Sequence, residues 1–361
     1  MKIAIDASQV IYDTGVSVYT RNLIGSILSI DKKDNFLLFG GSLRRIPKLV
    51  DTFSKLTQLS NNARSIVFPI PPFLSDVLFN RLGWSIDPLI GKADIFHSSD
   101  WTQPSSSAFK VTTVHDLVPI LFERMSHPKI VEVHKRRLER VMKYADRIIV
   151  PSQTTRDDLL KLGCPEKVIN VIPEAVDPSF HKCTREIVES TRRRYNLNSK
   201  YLLAVGTSYR KNIERIIQAF EKVRVGRRLK LVVIGEVRKP MHFVRNVVYL
   251  GSVTQRDIVP MYAGSEALLY PSLYEGFGLP ILEAFSLGVP VLTSNRGSMG
   301  EIAGDAAVLV DPENLDSISR GIEKLLENKN FYARLGKKEI KKYSWRSTAL
   351  LTLSLYKNLV K

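Results

Sequence analysis

Short apolar runs alternate with helix-length stretches along this chain, and the alternation stops once and begins again. The runs fall at 2–7, 35–39, 65–70, 94–97, 110–114, 147–150 and 168–172, and then at 201–205, 230–234, 247–250, 267–270, 289–293 and 307–310. Strands separated by helices return in the same direction, so this rhythm predicts parallel sheets with helices on both faces. The break follows Asp177-Pro178, where a polar segment ending in Arg192-Arg193-Arg194 reads as an interdomain connection carrying a short helix. Two α/β domains are therefore expected, at 1–178 and 179–344, and a 361-residue chain gives each enough residues to bury its own core. The tail at 345–361 has a helical pattern from Trp345 to Val360 and is expected to pack back onto the first domain.

Ligands of doubly wound sheets lie outside the carboxyl ends of the strands, so two such sheets facing one another predict a cleft. Charge says what kind of ligand. The net charge is +17, and residues 179–361 hold 30 Lys/Arg against 17 Asp/Glu, whereas residues 1–178 hold 23 against 19. The second half attracts anions: nucleotide phosphates, an anionic membrane surface or nucleic acid. Nucleic acid is not the expected partner, because neither basic residues interleaved with aromatics nor a recognisable binding module is present. The two cysteines, Cys164 and Cys183, are too few for a disulfide framework or a metal site and suit a reducing compartment. Met1 leads directly into a strand, and no stretch reaches the roughly 20 apolar residues of a membrane span, so a cytoplasmic protein, at most peripheral on the inner face of the cell membrane, is expected.

Two motifs in the second half carry chemistry. The run ending at Tyr270 leads to Glu275-Gly-Phe-Gly-Leu-Pro-Ile-Leu-Glu283, in which Gly276 to Leu279 read as a strand-to-helix turn and Pro280 suits the first helical turn. Glycines allow close approach of backbone to a ligand, the helix start favours an anion, and Glu275 can accept hydroxyl protons beside it. Glu283 follows about one turn into the helix, facing the same crevice. The same nine residues also fit an ordinary turn with two solvated glutamates. The run 201–205 leads to Gly206-Thr207-Ser208-Tyr209-Arg210-Lys211-Asn212. Arg forks two phosphate oxygens and Lys adds a point charge, which suits a diphosphate, although an exposed basic pair is the plainer reading. Both motifs end strands at one sheet edge and can converge on a single ligand.

With these motifs in order, and with Thr113-Val114-His115-Asp116-Leu117, the run from Val150 to Leu159 and the run from Val171 to Phe180, the chain resembles the retaining nucleotide-sugar glycosyltransferases of GT-B architecture, family 4, over essentially its whole length. The look is nearest to mannosyltransferases of surface-polysaccharide assembly. The resemblance implies two Rossmann-like domains facing across a cleft. It implies that Glu275 holds donor-sugar hydroxyls, that Glu283 binds the ribose, and that Arg210 and Lys211 grip the diphosphate. Gly276, Phe277, Gly278 and Leu279 match the loop whose N–H groups meet sugar and phosphate, with Gly206 in the other donor-side loop. His115 matches a histidine that contacts the sugar, while by its strand position it fits a core residue equally well. The first strand-to-helix loop, Asp13-Thr14-Gly15-Val16-Ser17-Val18-Tyr19, keeps Gly15 but has Ser17 and Val18 where a glycine and a charge are usual.

The implied activity is transfer of a hexose, with mannose from GDP-mannose ahead of a UDP-sugar, to a glycan or lipid-linked acceptor with retention of configuration. Closure of the domains about 177–200 would accompany it. No Asp-x-Asp tripeptide occurs, so no metal and no cofactor are expected. A nucleotide-sugar epimerase of the same architecture and a noncatalytic membrane- or nucleotide-binding module are the alternatives. The segment Pro128 to Tyr144 interleaves Ile130, Val131, Val133, Leu138 and Val141 with basic residues, and reads either as a helix lying on anionic lipid or as a surface helix with a solvated face. Asp100, Trp101, Thr102 and Gln103 follow a strand and read either as acceptor contacts or as a polar loop with one buried tryptophan.

Overall fold

The computed structural model describes residues 1–12, 14–181, 183–223, 229–236 and 244–361. Asp13, the first residue of the glycine-containing loop, lies outside the described residues. Two compact units emerge, Met1–Ala175 with Ser344–Lys361 and Val176–Tyr343.

The first unit holds β1 (Lys2–Asp6), β2 (Asn35–Gly41), β3 (Ala63–Phe68), β4 (Ile95–Ser98), β5 (Phe109–Thr113), β6 (Arg147–Val150) and β7 (Ile169–Val171). They form a seven-stranded sheet in the order β3-β2-β1-β4-β5-β6-β7, with parallel pairs throughout. The second unit holds β8 (Lys200–Val205), β9 (Leu229–Ile234), β10 (Val247–Gly251), β11 (Ala267–Tyr270), β12 (Val291–Ser294) and β13 (Val308–Val310). These run β10-β9-β8-β11-β12-β13, again all parallel. Each order reverses direction once, between β1 and β4 and between β8 and β11. At those points neighbouring loops diverge to opposite faces and leave a crevice at the strand ends.

Burial explains why the strands read as continuous apolar runs rather than alternating ones. In β8, Tyr201 and Leu203 join one core while Leu202 and Ala204 join the core on the opposite face. In β11, Leu268 and Tyr270 divide from Ala267 and Leu269 in the same way. The closing helix Trp345–Val360 packs on the helix Gly15–Ile30, and Ala349, Leu353 and Tyr356 enter the first unit's core.

Two details of organisation differ from the sequence reading. The first unit ends at Ala175 rather than 178, because Val176 and Phe180 are buried in the second unit's core. The polar segment read as a connection forms the helix Arg185–Arg194 inside the second unit. Arg194 pairs with the buried Asp257 at 2.5 Å, and Arg192 donates to the carbonyls of Leu197 and Ser199. Two of the three arginines of its basic run are engaged locally, a pairing that charge density alone does not reveal.

Candidate functional site

At the β8–β11 crevice the backbone is bent so that three charged side chains meet. After β8, Gly206 has φ +86°, and a Cβ there would stand 3.0 Å from Lys211 Cγ and Cε. Glycine is thus required for the lysine stem to lie across the strand end. Tyr209–Lys211 make one tight 3-10 turn, and Asn212, at φ 62°, ends it. The Asn212 amide donates to the carbonyls of Pro271 (3.0 Å) and Pro312 (2.6 Å), while Leu273 N donates to the Arg210 carbonyl (2.8 Å). The loop after β8 is thereby stitched to the loop after β11.

Arg210 donates to a carboxylate oxygen of Glu275 and to the Tyr274 carbonyl, and Lys211 Nζ lies 2.7 Å from the other Glu275 oxygen and 2.5 Å from the Tyr270 hydroxyl. Lys211 also sits 4.5 Å from the centroid of the Tyr270 ring. Ser298 fixes the Glu275 carbonyl from below at 2.7 Å. Burial opposes charge on Glu275, but Lys211 and Arg210 outweigh it and hold its carboxyl below the usual range. Burial, abetted by Arg210, draws the Lys211 ammonium below its usual value against the pull of Glu275. Two cations around one carboxylate leave an excess positive charge with little water to screen it, so an arriving anion is favoured.

The turn that follows contains Gly276 and Phe277, whose ring is buried against Tyr343, so Phe277 offers only its backbone to a ligand. Gly278 caps the helix Leu279–Leu287 at φ +111°, a conformation that side chains rarely adopt. Glu283, half-buried on this helix, has its carboxyl pushed up to about 7 by burial, with Asp177 adding to the effect and Tyr262 and Lys211 opposing it.

His115 and Gly15 belong to the first unit. His115 follows β5, its Nδ1 lies 2.8 Å from Glu174, and Tyr19 packs edge-on at 4.5 Å between centroids. Burial disfavours the imidazolium, yet Glu174 by hydrogen bond and charge, helped by Asp100 and Asp116, raises the imidazole above its ordinary value. His97, by contrast, is buried neutral between the Tyr356 hydroxyl (2.6 Å) and Thr113 Oγ1 (3.0 Å), and burial pushes it down to about 3. Gly15 opens its helix beneath the Thr14 cap, where a Cβ would meet nothing within 4 Å.

Sequence reasoning missed Glu174 and Tyr270. Glu174 lies inside the run from Val171 to Phe180, but its partner is 59 residues away and no spacing rule joins them. Tyr270 was read only as a strand end. The helix Pro128–Tyr144 forms with the boundaries expected, and its cations turn largely to protein. Arg136 binds Asp76, Arg137 is 3% exposed and donates to Thr112 and Thr113, and Arg140 donates to the Gln103 carbonyl. Lys129, Lys135 and Lys143 remain exposed, so the helix presents a broken rather than a continuous basic face. No helix among the described residues is long and apolar enough to cross a membrane.

Comparison with known proteins agrees with this geometry. Residues 188–342 match the family model described as Glycosyl transferases group 1, and residues 44–180 match that described as Glycosyltransferase Family 4. O-antigen chain mannosyltransferase B of Escherichia coli is 28% identical over 99% of this chain and 100% of its own length. The serotype-specific mannosyltransferase WbdA of Escherichia coli is 28% identical over 69% of this chain, which spans 33% of that longer protein. Sucrose-phosphate synthase from Thermosynechococcus elongatus shares the architecture, with a TM-score of 0.73, 17% identity and 99% of each chain covered. With one family model on each half and the GT-B fold in common, the chain belongs to the group 1, family 4 glycosyltransferases.

Proposed function

We propose that this glycosyltransferase moves mannose, with GDP-mannose as the first donor to try and UDP-sugars next, onto a glycan or lipid-linked glycan of a surface polysaccharide, with retention and without a metal ion. The observation that carries the reading is the meeting of Arg210, Lys211 and Glu275 at the β8–β11 switch point. The choice of sugar is supported by the full-length likeness to a protein named as an O-antigen chain mannosyltransferase.

Breaking a sugar–diphosphate bond places negative charge on the departing phosphate and positive charge on the ring. Fixed cations oppose the first, and because they are already held in place they need no reorganisation during the reaction. Arg210 and Lys211 take this role, together with the helix start at Gly278. Glu275, kept ionised by the same cations, accepts hydrogen bonds from donor-sugar hydroxyls. Glu283 takes the ribose, and His115, oriented by Glu174, contacts the reacting sugar. The first unit supplies the acceptor side.

The test is incubation of the purified chain with GDP-mannose, UDP-glucose or an ADP-sugar, with a mannoside acceptor and with or without EDTA, followed by NMR of the product. Transfer that keeps the donor's anomeric configuration and survives EDTA is expected. An inverted linkage, or activity lost to EDTA, contradicts the mechanism. Donor epimerised in the absence of acceptor identifies an epimerase, and binding with neither transfer nor donor hydrolysis identifies a binding module.

A further inference from the structure

Tyr270 closes β11 at a place where burial asks only for an apolar ring. It is 1% exposed, stands in register with Thr293 of β12, and its carbonyl accepts from Thr293 Oγ1 at 2.9 Å. A phenylalanine would fill that place with no polar group to satisfy. A buried hydroxyl costs free energy unless it is hydrogen-bonded, so the partners of this one show what it is for. Lys211 Nζ donates to it at 2.5 Å and stands 4.5 Å from the ring centroid. Burial, with Glu275 adding to it, keeps the phenol protonated well above its usual range. A neutral hydroxyl accepts on its lone pairs and still donates one proton, and that proton adds to the hold of Lys211 and Arg210 on the ionised Glu275.

The lysine needs such a partner more than its neighbour does. Arg210 has a planar fork tied to Glu275 and to the Tyr274 carbonyl, whereas Lys211 is a point charge on a flexible four-carbon stem. Gly206 makes room for the stem, and the head has two partners, Glu275 at 2.7 Å and Tyr270. Two of the three ammonium donors are thereby taken, and among the described residues the third has no partner. Ligand hydroxyls compete for Glu275. Tyr270, fixed at a strand end, stays committed to the lysine when they do.

We propose that Tyr270 is the positioning residue for Lys211: its ring and hydroxyl hold the ammonium at the end of β11 with one donor left for the ligand, and so set the preference for a diphosphate over a monophosphate. The inference rests on the reading of Lys211 as a diphosphate ligand. It adds that the grip is built into a strand rather than into the loop that carries the lysine.

Calorimetric titration of the full chain with GDP and GMP, and with UDP and UMP, tests this in the native protein, Tyr270→Phe, Lys211→Ala and the double variant. Tyr270→Phe keeps the ring and removes the hydroxyl, and should cut the diphosphate-to-monophosphate ratio about threefold or more. In the Lys211→Ala background the same change should have no further effect, because a hydroxyl that acts through the lysine has nothing left to position. A ratio unchanged in Tyr270→Phe, or an equal loss with and without Lys211, overturns the proposal while leaving Lys211 as a ligand. A native chain that binds diphosphate and monophosphate equally sinks the reading of Lys211 itself. Should Tyr270→Phe fail to fold, 3-fluorotyrosine placed at position 270 keeps ring and hydroxyl. Its fluorine resonance should move with GDP or UDP and stay with GMP and UMP, and a resonance indifferent to the diphosphates overturns the proposal as well.

Discussion

At the β1–β4 switch point the loops present carboxylates and aromatic rings, and at the β8–β11 switch point they present an arginine and a lysine around one glutamate. The strand orders on either side are alike: each sheet runs outward from a central pair of parallel strands. Topology therefore fixes where a ligand can sit, at diverging loops beyond the strand ends, and says nothing about its charge. Charge is written in a few residues after each strand. Asp6 closes β1, whereas the residues after β8 are a glycine and then a 3-10 turn that projects Arg210 and Lys211. One architecture thus yields a crevice lined by carboxylates and aromatic rings and another that gathers cations around a glutamate.

The comparison breaks most sharply if the second crevice does not depend on its cations. Arg210→Ala and Lys211→Ala are each expected to lower turnover by roughly two orders of magnitude, as loss of a preorganised transition-state donor does. Steady-state rates near native in both variants would remove the contrast between the two crevices.

A smaller effect is expected at His115, where Glu174 raises the imidazole above its ordinary value of 6.5 against the opposing effect of burial. A folded value above the unfolded one stabilises the fold fully below about pH 6.5, and that contribution is lost as pH rises through the folded value. Glu174→Gln should lower the His115 titration midpoint in NMR and reduce stability on the acid side only. An unchanged midpoint means that Glu174 does not set the protonation of His115.

Glu283 sharpens the account by pH alone. Its carboxyl, raised from 4.5 to about 7, binds a proton in the folded chain that the unfolded chain has already released. Its contribution is therefore present below about pH 4.5 and lost as pH rises through about 7. Urea unfolding of the native chain and of Glu283→Gln should show a fall in stability across that window that is steeper in the native chain. Equal slopes would place Glu283 in contact with water.

Much of the architecture was legible because parallel strands buried on both faces are apolar throughout. The strand Ala267–Tyr270 and the helix Pro128–Tyr144 have the boundaries their residues predict. The convergence of Arg210 and Lys211 with Glu275 was legible too, since adjacent strands of one parallel sheet deliver their following loops to one edge. What stayed hidden are pairings between distant residues. Tyr356 reaches His97 across 259 positions, and Glu174 reaches His115 across 59, with no periodicity to connect them. The helix Pro128–Tyr144 shows the same limit from the other side: its arginines look solvated in sequence, but Arg137 is buried against β5 residues. Composition counts charges and does not say where they are spent.

Calorimetric titration of the chain with GDP and UDP, their monophosphates and their nucleosides measures the diphosphate grip without any acceptor. At least one diphosphate should bind about tenfold or more tightly than its monophosphate, and Lys211→Ala should erase that difference while leaving the monophosphate nearly unchanged. Equal affinity for diphosphate and monophosphate in the native chain, or a difference that persists in Lys211→Ala, would contradict the assignment of the β8–β11 crevice.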